Sequence, residues 1–361
     1  MRLFLLLTLT SACAFPATEI GVRAGAAYRI DIPDNYNGQL LVYCHGYSPR
    51  PGQFKEGALR GDLAAYYGMG VAILQSGYSQ GGWAVEQAMK ETEDLRQYFV
   101  SKYGKPRRTI VCGHSMGGHI TVALVEKYPG AYDGGLAFCG ALEPALTFGK
   151  QRAFDALVLF DYYFPGILGS AARPAPEGGA GAPLAAKITA AAGADSAKAE
   201  ALRQWLGLKN QAEIPGLVSF MTSIQMELVQ RTGGNPFDNR DTVYSGGPGD
   251  DAVNRGVKRY AADPAAAAYM RAWYTTTGRL ERPVLAVHTT YDPVVPAYAP
   301  NHYRDAVHSQ GKEAFFVQRW VARDGHCTMN PAEMMGAFQD LNKWLDSGVR
   351  PTHGEQAAAQ P

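Results

Sequence analysis

Cysteine is scarce, five in 361 residues, too few for the disulfide-dense scaffolds of small secreted domains. Neither sign of charge is in excess. Lys plus Arg is 34 and Asp plus Glu is 33, a formal net charge of +1. That balance excludes the basic surplus of a dedicated nucleic-acid binder and the acidic surplus of a disordered tail. Beyond the N-terminus no apolar run approaches the roughly 20 residues of a spanning helix, so no stable membrane span is expected. What the chain has is 46% hydrophobic residues, enough for a sizeable core. Its 41 glycines and 22 prolines suit many turns rather than a helical bundle.

The N-terminal run is short. Met1-Arg2 precedes Leu3 to Leu9, broken only by Thr8, and Thr10-Ser11-Ala12-Cys13-Ala14 follows. A charged n-region, an apolar h-region and an A-x-A site form the pattern of a signal peptide. Residues 1–14 are therefore expected to be removed and the product to be secreted or periplasmic. Lipid anchoring at Cys13 is the weaker alternative, because Thr10 stands where such sites usually carry an aliphatic residue. Export permits disulfides. Cys44, Cys112, Cys139 and Cys327 would remain, and sequence does not choose among their pairings. Cys112 and Cys139 lie in apolar runs and suit small core residues, which leaves Cys327 as the expected bridge former.

Strand and helix patterns alternate from residue 28 to 141. Tyr28–Ile32 alternates as a half-buried strand, and Gln39–Cys44 (QLLVYC) is a continuous apolar run ending at His45-Gly46, the mark of a buried strand. Helix 57–67, strand 71–74, helix 83–103, strand 108–112, helix 117–128 and strand 135–139 follow. The rhythm resumes with strand 283–288, helix 301–309, strand 314–320 and helix 331–345, and fades after Gly348. Such alternation predicts an α/β fold, a mostly parallel sheet with helices on both faces. Residues 142–281 interrupt it. They hold an aromatic run from Phe154 to Phe164, an Ala/Gly/Pro-rich stretch at 170–197 that reads as a linker with some helix, helical patterns at 199–206 and 217–230, and loops at 233–251. The division expected is a signal peptide (1–14), a core in two parts (15–141 and 282–348), a mainly helical insertion (142–281) and a flexible tail (349–361).

Two segments match G-x-S-x-G: Gly77-Tyr78-Ser79-Gln80-Gly81 and Gly113-His114-Ser115-Met116-Gly117. A nucleophile elbow needs a buried strand, a strained turn and an immediate helix. Both serines sit between a strand and a helix, so strand counting must separate them. Here the chain resembles the α/β-hydrolase superfamily, in which an H-G turn follows the third strand and the nucleophile follows the fifth. His45-Gly46 and Ser115 occupy those two places. The GYSQGG form at Ser79 looks like a cutinase elbow but lies one strand too early, and Ser79 is expected to be a polar loop residue near the site.

Serine needs a base, and the base an orienting acid. The family order is Ser, Asp or Glu, then His. Asp292, in an x-D-P-x-V-P turn, and His326, in Asp324-Gly325-His326-Cys327, hold the corresponding places. Glu143 is the alternative acid, and Asp324 neighbours His326 without a strand end of its own. His114 is expected to shape the elbow, with His119 one helical turn further on, and His288 and His302 to be structural. The resemblance places the oxyanion donors at the N–H groups of Tyr47 and Met116. Tannase-like feruloyl esterases pair a Cys before the serine with one after the histidine. Only Cys327 is present here, so a bridge to Cys44 or Cys112 is the hypothesis instead.

In this family an insertion after the sixth strand commonly forms a cap. The aromatic run 154–164 could wall an acyl site or fill the cap's own core. Asn235 to Asp238 and Gly246 to Asp251 lack the spacing of an EF-hand loop. Neither metal nor cofactor is expected. The resemblance, over residues 28–141 and 282–347, implies a serine hydrolase; with the signal peptide, the reading is an exported carboxylic ester hydrolase acting on a small-molecule or polymeric ester, aryl (feruloyl-type) or short acyl esters among them. A prolyl-type serine peptidase and a non-catalytic binding protein on the same fold are the rivals.

Overall fold

The computed structural model describes residues 17–356, so the expected signal peptide and Cys13 lie outside the described residues. The chain opens with three strands, β1 (Ala17–Arg23), β2 (Ala26–Ile32) and β3 (Gln39–Cys44), then α1 (Gly61–Gly68) and β4 (Ala72–Ser76). α2 (Val85–Tyr103), β5 (Arg108–His114), α3 (Met116–Lys127) and β6 (Gly134–Phe138) continue it. After the insertion come β7 (Val284–Tyr291), α11 (Tyr298–Ser309), β8 (Phe316–Asp324), α12 (Pro331–Ser347) and β9 (Gly354–Gln356). The sheet order is β1-β2-β4-β3-β5-β6-β7-β8-β9. β1 and β2 run antiparallel to their neighbours, and every later pairing is parallel. This is the α/β-hydrolase arrangement.

Parallel strands covered on both faces must be apolar throughout. Leu40 and Val42 of β3 accordingly face the side covered by α2, α3 and α11, while Leu41 faces the side covered by α1 and α12. The sequence offered no strand before Tyr28. β1 is short on apolar residues because it is an edge, held in register only by β2. The tail differs from expectation too. β9 adds to the β8 edge, drawn in by Arg319 Nε on the Thr352 carbonyl at 3.1 Å and by His353 Nδ1, which accepts the Gln318 N–H at 3.2 Å.

Between β6 and β7 lie α4 (Ala145–Phe148), a π-helical segment (Gly149–Phe154), α5 (Asp155–Tyr163), α6 (Ala182–Ala194), α7 (Ser196–Trp205), α8 (Ile214–Thr232), α9 (Asp250–Gly256) and α10 (Pro264–Ala272). The linker-like stretch thus contains a full helix: Leu184 and Ile188 of α6 are buried, and the helix packs on α8. Phe154, Leu157, Val158 and Phe160 are buried in one continuous cluster with the sheet, so most of the aromatic run is core. Among the described residues no helix is long and apolar enough to cross a membrane.

Candidate active site

β5 delivers Ser115 in a conformation L-residues avoid, with φ 58° and ψ −120°. The turn is tight enough to dictate its glycines. A Cβ at Gly117 would lie 2.0 Å from the Cys44 carbonyl oxygen and one at Gly113 would lie 2.6 Å from it. Only glycine permits that approach of backbones. The strain is held by neighbours: the Ser115 N–H donates to the Phe138 carbonyl at 2.9 Å. α3 begins at Met116, so the Met116 N–H belongs to the first-turn donors that lack an intrahelical acceptor.

His326 arrives from the β8–α12 loop. Its Nε2 stands 2.8 Å from Ser115 Oγ, and its Nδ1 donates to Asp292 Oδ2 at 2.6 Å. The loop is fixed at both ends. The Gly325 N–H donates to the Tyr291 carbonyl at 2.8 Å. Arg323 forks onto Glu333, at 2.8 and 2.9 Å, and also holds the Thr328 carbonyl. Glu333 in turn caps α12 through Asn330. Asp292 Oδ1 accepts the N–H groups of Val294 and Val295 at 2.8 and 2.9 Å. Burial alone pushes the Asp292 carboxyl up, but the His326 hydrogen bond and charge, the nearby His288 and the Val295 N–H outweigh it and hold the group below its ordinary value.

The His45-Gly46 turn borders the same point. A Cβ at Gly46 would sit 3.4 Å from Ser115 Cβ. Tyr47 follows, its ring meeting Phe220 of α8 edge-on at 5.4 Å. The structure therefore brings Ser115, His326 and Asp292 into one hydrogen-bonded chain and sets the Tyr47 and Met116 backbone beside it. The other candidates go elsewhere. Ser79 Oγ is bonded to Glu91. Glu143 is buried and holds His302, not His326, and Asp324 pairs with Lys209 on the surface. His114 lies between Tyr43 and Met334. His119 is fully buried, its Nδ1 donating to the Ala141 carbonyl at 2.8 Å, and burial depresses it to about 4.

With this topology and this turn, the chain matches known proteins at low identity. The profile of the serine aminopeptidase S33 hydrolase family covers residues 39–168. Those residues hold the Ser115 turn, and the profile is one of serine hydrolases of the α/β-hydrolase superfamily. The chain is 23% identical to the o-phthalyl amidase of Xanthobacter agilis over 413 aligned positions, 92% of this chain and 88% of that one. Among solved structures, Est1E from Butyrivibrio proteoclasticus matches with a TM-score of 0.47 at 12% identity, over 91% of this chain and 99% of that one. The Pyrococcus horikoshii acylaminoacyl peptidase matches with a TM-score of 0.48 at 10% identity, over 94% of this chain. The chain spans only 42% of that peptidase's length.

The expected cysteine pairing needs correction. Cys327 is bridged to Cys139, with Cα atoms 5.2 Å apart, while Cys44 and Cys112 are free and buried. Cys139 ends the apolar run of β6, where the chain leaves the sheet. It turns there with φ 44°, and Cys327 has φ 56°; Cys139 stays buried in the core cluster, and Cys327 packs against it. Two more residues neighbour the site, His288, expected to be structural, and Arg152, which the sequence reading did not single out. His288 Nε2 donates to the Val295 carbonyl at 2.8 Å and lies 3.5 Å from Asp292 Oδ2. It sits on β7 four residues before Asp292, which follows the end of that strand. Arg152 holds the Pro293 carbonyl from the insertion, and no local pattern marks it.

Proposed function

We propose that this hydrolase cleaves carboxylic esters through an acyl-enzyme, with Ser115 as nucleophile, His326 as base and Asp292 as its orienting acid. The continuous chain Ser115 Oγ–His326 Nε2 and His326 Nδ1–Asp292 Oδ2, at 2.8 and 2.6 Å, carries the reading. Because Nδ1 donates to the carboxylate, Nε2 is the face that accepts the serine proton and later returns it to the leaving alkoxide. The N–H groups of Tyr47 and Met116 would hold the oxyanion; loss of one such donor typically lowers turnover ~10²–10³-fold. The resemblance to the o-phthalyl amidase favours a second reading, amide cleavage by the same groups. Export after removal of residues 1–14 completes the proposal, and the Cys139–Cys327 bridge is consistent with an oxidising compartment.

The test pairs matched leaving groups on one acid: a phenyl ester and an anilide of benzoic acid, then of a hydroxycinnamic acid. Ester turnover with a burst of phenol, and anilide turnover far slower, is the expected result. Comparable anilide turnover would move the assignment to an amidase. No turnover of either by the intact chain, with no acyl adduct on Ser115 by mass spectrometry, would defeat the acyl-enzyme reading.

A further inference from the structure

A cleft of ≈ 690 Å³ opens beside the acid turn, between the π-helical segment, the end of α7, the 242–245 loop and the start of α11. Neither Ser115 nor His326 lines it. Its charges are unevenly matched. Asp155 takes Lys150 at 2.8 Å and the Tyr244 hydroxyl at 2.9 Å. Glu143, beneath His302, is bonded to it, and Asp292 has its two N–H donors and His326. Arg152 is the exception. It is 5% exposed, and among the described residues no carboxylate lies within ion-pair distance of it. Two of its N–H groups donate to the Leu206 and Pro293 carbonyls, and its Nε is buried without a partner. A guanidinium carries five N–H donors, so it is under-used, and only carboxylates beyond ion-pair distance, Asp292 and Glu213, offset its charge. Burial of an unpaired charge is strongly unfavourable, and the cleft is where an anion can reach it.

The remaining walls describe the rest of such a ligand. Tyr298 and His302 add a hydroxyl and an imidazole on the same side, their rings 5.6 Å apart. Leu159, Trp205 and Val243 supply an apolar flank. We propose that this cleft binds a small carboxylate with an apolar body, its carboxylate on Arg152 and its body against Leu159 and Trp205. The cleft shares Asp292 with the serine centre but neither Ser115 nor His326, and the proposal does not depend on the reaction assigned there. Arg152 also touches the residue after Asp292, so the occupant abuts the acid turn.

Calorimetric titration of the full chain with benzoate, and with benzamide as the uncharged shape match, tests it. Saturable binding of benzoate, weak or absent binding of benzamide, and the same benzoate affinity in Ser115→Ala are expected. Arg152→Met should weaken benzoate roughly ten- to hundredfold, the scale of a lost charge-assisted hydrogen bond. If that variant does not fold, Ser245→Glu decides instead: the position is exposed at the rim, and the added charge should weaken benzoate and leave benzamide unchanged. Equal binding of the two probes, benzoate affinity untouched by Ser245→Glu, or binding lost in Ser115→Ala would each overturn the site.

Discussion

The two G-x-S-x-G turns share a sequence pattern and differ in what they strain. In both, the last glycine meets a backbone: a Cβ would lie 2.0 Å from the Cys44 carbonyl oxygen at Gly117 and 2.4 Å from the Pro49 carbonyl oxygen at Gly81. The shared pattern is thus a requirement of close packing. At the first turn, however, the left-handed residue is Tyr78, with φ 52°, and its buried ring stacks on His45 at 3.9 Å. At the second it is the serine. The partners differ as well. Ser79 is held by Glu91, 12 residues away in α2, while Ser115 meets His326 from 211 residues away. A local carboxylate fastens one hydroxyl. A base brought by the tertiary fold receives the other, and a base is what a nucleophile needs.

The largest expected difference follows directly. Ser115→Ala should lower kcat on a phenyl ester about 10⁴-fold or more, whereas Ser79→Ala should stay within a few-fold of the parent. Steady-state kinetics on both variants checks it. The reverse order would place the nucleophile one strand earlier.

That contrast was legible in part before the fold was known. The continuous apolar runs of β3, β5 and β7 placed the strands, and strand counting put Ser115, Asp292 and His326 at successive strand ends. Sequence could not provide what depends on side chains meeting across long separations. Cys139 sits in an apolar run, and nothing local reveals that the chain turns at that residue and presents its sulfur to the histidine loop. β1 and β9 are short edge strands, whose pairing is set by their neighbours more than by their own pattern. Arg152 reaches the Pro293 carbonyl across 141 residues.

The bridge gives the second test. His326 is next to Cys327, so the base at the second turn is tied to the end of β6, an anchor that the Ser79 turn lacks. A double Cys139→Ser/Cys327→Ser variant should lose roughly 2–5 kcal/mol of stability, read as a lower denaturation midpoint. Activity should fall with it. Unchanged activity at full folding would show that the Arg323–Glu333 fork alone positions the loop.

The third test concerns protons. Burial lowers His45, His114, His119 and His288 from their ordinary value, and all four flank the serine turn or the acid. For His119 the native value is about 4, against about 6.5 unfolded. Below 6.5 the unfolded chain binds the proton and the native one does not. Stability is therefore complete above 6.5 and falls as pH drops toward 4, by roughly 2–4 kcal/mol from this residue. Chemical denaturation at several pH values should show that slope, and His119→Gln should flatten it.

The smallest effect probes what the first turn does for the second. Arg231 of α8 donates to the Gly81 carbonyl at 2.6 Å and to Gln80 and Gln87 at 2.9 and 3.0 Å. Its neighbour Glu227 accepts the Trp83 N–H at 3.0 Å. The Ser79 turn thus seats the helix whose Phe220 lies on Tyr47. Arg231→Ala should lose about 1–3 kcal/mol, because it removes these bonds and leaves the largely buried Glu227 without its ion-pair partner. It should also shift KM more than kcat, because the helix meets the site through Phe220 on Tyr47 and does not touch Ser115, His326 or Asp292 by any hydrogen bond. An unchanged KM alongside lowered stability would confine the first turn to packing, and an equal fall in kcat would mean that α8 reaches the oxyanion donor through Tyr47.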